Sequence, residues 1–115
     1  HARGIEDSHC GAIDGTTARR MALAQVARDQ FMARIVEAHS QRGVVLLAGN
    51  GHVRNDLGAP FWLSPATRAR GVAIGLLEVG DTSTPYDRVV FTEPQPRPDP
   101  CAAMKPKPAA SAPSR

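Results

Sequence analysis

Aromatic side chains are scarce in this sequence: Phe31, Phe61, Trp62, Tyr86 and Phe91 are the only five among 115 residues. That scarcity removes the stacking platform on which single-stranded nucleic acid is held. Long apolar runs are missing too. The longest, Val44 to Ala48, is strand-sized and falls far short of the ~20 residues of a membrane span. Surplus charge on the body of the chain is also lacking. The formal net charge is +3, but residues 94–115 hold Arg97, Lys105, Lys107 and Arg115 against Asp99, and residues 1–93 hold ten residues of each sign. A DNA-binding face needs Lys and Arg clustered on the domain itself, so no nucleic-acid partner is expected. Neither a signal peptide nor a transit peptide is recognisable at the amino end, which begins at His1. A piece of a longer protein, or a processed chain, is the expectation.

What is present suffices for a packed core, with 42% hydrophobic residues. Residues 1–16 are polar and read as a loop entering a helix, with Asp14, Thr16 and Thr17 as candidate N-caps. Residues 17–41 carry Leu23, Ala27, Phe31 and Ile35 at i+4, with Ala24, Met32 and Val36 beside them. This predicts one long amphipathic helix that buries that stripe and stops at Gly43. Val44–Ala48 predicts a strand covered on both faces, and a helix feeding directly into such a strand points to a parallel sheet. Residues 49–63 read as loop, with a helical turn near Val53–Leu57 as an option, and Ser64-Pro65 opens a further helical turn. Residues 71–79 predict a second buried strand, 80–85 a turn, and 86–92 a third strand at an edge. Seven of the ten prolines fall in residues 94–113, which predicts disorder beyond about residue 102. The fold class expected is α/β, a fragment of a mostly parallel sheet with one long helix and a Pro-rich tail.

The strongest local feature is Gly49-Asn50-Gly51-His52, directly after the first predicted strand. Ligands of open α/β sheets bind beyond the carboxyl ends of strands, and two glycines allow backbone to approach a ligand closely. His52 would project into that crevice, able to bind a metal or exchange a proton, with Arg54 nearby for an anionic group. The alternative is a polar turn with a solvent-facing histidine. Gln25, Arg28, Asp29 and Met32 fall at i, i+3, i+4 and i+7 on the helix, either a solvated flank or the wall of the same crevice. Trp62 caps that wall or simply anchors its loop, and Tyr86 packs at the edge strand or serves a ligand with its hydroxyl. His9, beside Cys10, reads as an exposed loop histidine in preference to half of a metal pair. Cys10 and Cys101 match no zinc pattern. They either close a loop of about 90 residues, worth about 4 kcal/mol in the chain-entropy model, or stay as two buried thiols. No Ser-His-Asp constellation, phosphate loop or paired-carboxylate spacing is readable.

Three blocks resemble the C-terminal part of ChaN-like haem-binding, iron-regulated lipoproteins. They are Ala24-Gln25 with Arg28-Asp29 and Met32-Ala33; the run Val44 to Arg54 through Asp56, Gly58 and Pro60; and Gly75-Leu76-Leu77-Glu78-Val79 with Tyr86-Asp87 and Asp99-Pro100-Cys101. His9-Cys10-Gly11 resembles a segment preceding the helix in many members. The resemblance covers residues 9–103. It implies an α/β fold with a haem-binding cleft, so that residues 1–93 are the C-terminal portion of such a domain and 94–115 a tail bridged near Cys101. It also implies a bridged Cys10–Cys101 pair and a bacterial location, in the periplasm or anchored at the outer membrane. Any membrane attachment would then be a lipid anchor upstream of this chain. Haem or a related tetrapyrrole is the implied ligand, for iron uptake or storage. His52 would meet iron or a propionate, Arg54 or Arg28 would pair with propionates, and Met32, Phe61 and Trp62 would pack on the porphyrin. Asn50, Gly49, Gly51, Gln25 and Asp29 would complete the surroundings.

Many members carry a tyrosine in the loop after Gly58-Ala59-Pro60, where this chain has Phe61-Trp62, neither an oxygen donor to iron. The family is distantly similar to the erythromycin-esterase and Tiki/TraB groups, whose Gly-x-x-His element Gly49-Asn50-Gly51-His52 matches. That likeness keeps a second reading open, a hydrolase using a divalent transition metal at His52. A third is a remnant with no ligand. The balance favours a binding protein over an enzyme, with a second copy of the chain as an optional partner.

Overall fold

The computed structural model describes residues 4, 5, 7, 9–82 and 85–103. The architecture is α/β, with one long helix and a two-stranded parallel sheet. The chain divides into two compact units, residues 1–24 with 96–115, and residues 25–95.

In the first unit, helix α1 (Gly15–His39) begins. Asp14 caps it: its carboxylate accepts from Thr17 N–H at 2.6 Å and its carbonyl from Ala18 N–H at 2.9 Å. The Thr17 backbone N–H holds the Asp14 carboxyl below the usual carboxylate range. Cys10 and Cys101 are joined in a disulfide, which settles the two alternatives left by their spacing. Cys101 sits in a short helix, Pro100–Ala103, and His9 Nδ1 bonds the Ile5 carbonyl at 2.8 Å. The predicted disorder of the tail past Ala103 lies outside the described residues.

The second unit takes the rest of α1, which buries a different face from the one its spacing predicts. Leu23, in the first unit, is 70% exposed; Phe31 and Ile35, in the second, are 63% and 45% exposed, and Ala27 is exposed as well. The buried helix positions are Ala18, Asp29 and Ala33. An i+4 repeat creeps round a helix of 3.6 residues per turn. Followed from Leu23 to Ile35, it runs along the side away from Asp29. The buried side carries small or polar groups, Ala18, Asp29 and Ala33.

Val44–Ala48 is extended but belongs to no strand, with Val45 93% and Leu47 89% exposed. The expected double-sided burial is therefore absent, because no strand among the described residues hydrogen-bonds to this run. Strand β1 (Ile74–Glu78) pairs in parallel with β2 (Arg88–Thr92), Ile74 opposite Arg88 and Glu78 opposite Thr92. β1 buries only Gly75 and Leu77 and exposes Ile74 and Leu76, so it is half-covered where full burial was expected. β2 is the expected edge strand. Asp87 ties the two strand starts together, its backbone N–H to Ala73 O at 2.9 Å and its carboxylate to Ala73 N–H at 2.7 Å.

Helix α2 (Pro65–Arg70) starts where Ser64-Pro65 predicts, with the Ser64 side chain accepting from Thr67 N–H. Glu37 reaches across from α1 to the same end, accepting from Ser64 N–H and, at 2.7 Å, from the Thr67 hydroxyl. The Ser64 backbone N–H, and then that hydroxyl, hold the Glu37 carboxyl below its ordinary value. A carboxylate depressed on folding adds stability that is present above its unfolded value of about 4.3 and is lost as pH falls through the lower folded value. Glu37→Gln is therefore expected to flatten the acid-side decline in urea midpoint while shifting the midpoint near neutrality. An unchanged acid limb would remove Glu37 from that role.

Candidate functional site

The site grows from the turn after Gly49, within the second unit. Asn50–His52 forms a 3-10 turn, closed by His52 N–H to Gly49 O at 2.8 Å and Val53 N–H to Asn50 O at 3.2 Å. The Asn50 amide behaves as one more strand peptide. It donates to Leu76 O at 2.7 Å and accepts from Leu76 N–H at 3.3 Å. Tyr86 donates its hydroxyl to Asn50 O at 3.1 Å, and Asn55 N–H bonds Pro85 O at 2.8 Å. Gly75 makes room for Tyr86, since a Cβ there would fall 2.7 Å from the ring. Burial pushes the Tyr86 phenol up. Asn50, read as a candidate ligand group, and Tyr86, read as either edge-strand packing or a ligand hydroxyl, thus hold the turn onto the sheet.

Gly49 and Gly51 were expected to supply close approach. A Cβ at Gly49 would meet only His52 Cδ2, at 4.0 Å, and at Gly51 it would meet open space. The glycine that geometry requires is Gly58. A Cβ there would sit 2.3 Å from His52 O and 2.6 Å from His52 C. The loop folds back so that residue 58 lies against the backbone of the histidine it supports.

The turn aims His52 at α1. Its Nδ1 lies 2.6 Å from Asp29 Oδ1, with the His52 side chain 27% and that of Asp29 1% exposed. A carboxylate only accepts, so Nδ1 carries a proton, and in the neutral imidazole Nε2 then presents a lone pair. Nε2 has no partner among the described residues. Asp29 Oδ2 and, one helical turn earlier, Gln25 Oε1 are buried with no hydrogen-bond partner. Two buried acceptors on one side of α1 thus lack a donor.

Of the remaining candidates, Arg54 is spent on Asp56, which it grips through Nε at 2.9 Å and a terminal nitrogen at 2.7 Å. That pair raises the Arg54 guanidinium and lowers the Asp56 carboxyl. Arg28 is exposed on α1, next to Asp29 in sequence, and makes no ion pair among the described residues. Met32 is half-buried one turn beyond it. Trp62 meets Phe61 edge-on at 5.2 Å and borders a shallow groove with Gln30, Arg34 and Glu37. A larger, mainly apolar groove of about 440 Å³ lies between Val44–Leu47 and Val72–Ile74, with Val53, the residue after His52, in its wall. Among the described residues no three His, Cys, Asp or Glu side chains gather to hold a metal ion. Glu37 and Gly58 were not singled out by sequence reasoning. Gly58 was visible as a loop glycine and as part of the family-like block through Pro60, without a role of its own, and Glu37 gave no local signal.

The family described as "Haem-binding uptake, Tiki superfamily, ChaN" matches residues 2–63, a span that includes both α1 and the His52 turn. No curated protein and no solved structure matches the chain.

Proposed function

We propose, from the premise that the chain belongs to the haem-binding uptake family of the Tiki superfamily that includes ChaN, that it binds haem through His52. The observation carrying this is the Asp29–His52 pair. Imidazoles that ligate metals generally give their other ring N–H to a carboxylate or carbonyl, which fixes the tautomer and orientation. His52 has that arrangement, with Nδ1 on Asp29 and Nε2 open. The orphaned Asp29 Oδ2 is the second sign of fit: a buried negative group is tolerated near positive charge, and ferric haem held at Nε2 would bring one such charge to the site.

Bound haem would contribute its iron as a Lewis acid for Nε2. The chain's own residues do the rest. Asp29 orients the ring, and Asn50, Tyr86 and Gly58 set the height of the turn. Arg28, unpaired on the adjoining flank of α1, is the candidate for a propionate, with Arg54 available only if Asp56 yields it. Apolar lining of the kind in the groove beginning at Val53 suits a tetrapyrrole face. The role is carriage of haem, for iron uptake or storage, in the envelope of a bacterium. The Cys10–Cys101 bridge suits such an oxidising compartment.

Titration with haemin tests this. The expected result is a saturable Soret shift at one haem per chain, with His52→Ala weakening binding at least tenfold, about 1.4 kcal/mol, and Arg28→Ala weakening it less. A Soret band unmoved by the wild-type chain, or identical titrations for wild type and His52→Ala, would overturn the assignment.

A further inference from the structure

We infer that Asp29 makes this site selective for oxidised, ferric haem over the ferrous form. The inference rests on the haem reading above and adds a preference for oxidation state. Asp29 is 1% exposed. Of its two oxygens, one takes the His52 Nδ1 proton at 2.6 Å and the other has no partner. No arginine or lysine among the described residues neutralises it. The Gln25 carbonyl oxygen, also buried without a donor, adds a second negative pole one turn away.

Away from water, charges interact several-fold more strongly than in solvent. The Asp29 charge is expressed through the imidazole. A ring whose Nδ1–H leans on a carboxylate carries more electron density at Nε2 and is a stronger donor. A stronger donor and a fixed nearby negative charge both favour the more positive metal centre. The ferric porphyrin core carries one positive charge and the ferrous core none. Axial ligation and second-shell hydrogen bonding are the means by which proteins set haem potentials. Here both come from one buried carboxylate on the neighbouring helix.

Asp29 is thus a positioning residue whose effect shows in the ratio of two affinities. In the full chain, haemin and anaerobically dithionite-reduced haem are titrated separately. The ferric form is expected to bind at least tenfold tighter. Each factor of ten lowers the one-electron midpoint of the bound haem by 59 mV relative to free haem. Asp29→Asn is expected to shrink the ratio about tenfold by weakening ferric binding, with ferrous binding little changed. Asp29→Glu, which keeps the charge, is expected to restore part of it.

A readout without haem accompanies these. In the ¹⁵N-histidine spectrum of the apo-protein, the His52 signal, identified by its loss in His52→Ala, should show the Nδ1–H tautomer in wild type and lose that preference in Asp29→Asn. Should Asp29→Asn not fold, as circular dichroism would reveal, the wild-type ratio and Asp29→Glu carry the test. Equal ferric and ferrous affinities in wild type, or an unchanged ratio in a folded Asp29→Asn that still binds haem, would sink this inference and leave haem binding intact. No Soret change with either oxidation state would overturn both.

Discussion

Reduction of the Cys10–Cys101 disulfide is expected to lower stability more than any other single chemical change to this chain. The two cysteines are 91 residues apart. In the chain-entropy model, a closed loop of that size removes enough freedom from the unfolded ensemble to stabilise the fold by about 4–5 kcal/mol. For a domain near this size that corresponds to a fall in thermal midpoint of roughly 20 °C. Calorimetry with and without reductant measures it, and Cys10→Ser with Cys101→Ser together should reproduce the reduced midpoint. A shift of only a few degrees would mean that the unfolded chain is already confined without the bridge.

The second large effect belongs to Gly58. In Gly58→Ala the new methyl group meets His52 O, His52 C and, at 2.9 Å, Arg54 N. All three are backbone atoms, so no rotamer change relieves the overlap and the loop itself must shift. Overpacking of this kind costs about 3 kcal/mol or more. The displacement falls on the segment that carries the imidazole, so loss of the Asp29 contact and of haemin binding should accompany the loss of stability. Gly51→Ala is the control. Its Cβ would enter open space, and the reduced freedom of the unfolded chain makes that change neutral or stabilising by about 0.5 kcal/mol. Equal midpoints for the two variants would contradict the close approach at residue 58.

Local chemistry was legible in the sequence; of the distant pairings, the Cys10–Cys101 bridge came through the family resemblance and the hydrogen bonds across the fold did not come at all. The Asp14 cap, the Ser64-Pro65 start of α2 and the turn around Gly49-Asn50-Gly51-His52 each depend on residues within a few positions of one another, and each was readable. Asp29 and His52 could both be named, but the bond between them spans 23 positions, and no periodicity encodes it. Glu37 escaped notice for the same reason, its partners Ser64 and Thr67 lying 27 and 30 positions away.

The helix failed differently. α1 has apolar residues on two sides. Spacing revealed the longer series, Leu23 to Ile35, but a helix pattern states which residues share a face and not which face is buried. The buried face carries Asp29, bonded to His52, and the small Ala33, and such side chains count for little in a hydrophobicity profile. Val44–Ala48 shows the converse error. Its composition suits a covered strand, and coverage is a property of neighbours.

The Asn50 side chain inserted as an extra rung beside Leu76 gives the sheet a part in metrology. Side chains alternate along a strand, so sliding one strand past the next by a single position reverses which groups face which side. If β1 slipped in that way, the peptide groups that grip Asn50 would turn elsewhere and the imidazole would lose its datum. The alignment of Ile74 with Arg88 is therefore also a calibration: it sets, from several residues away, which peptide groups are turned toward Asn50 and so where the turn that carries the histidine is pinned.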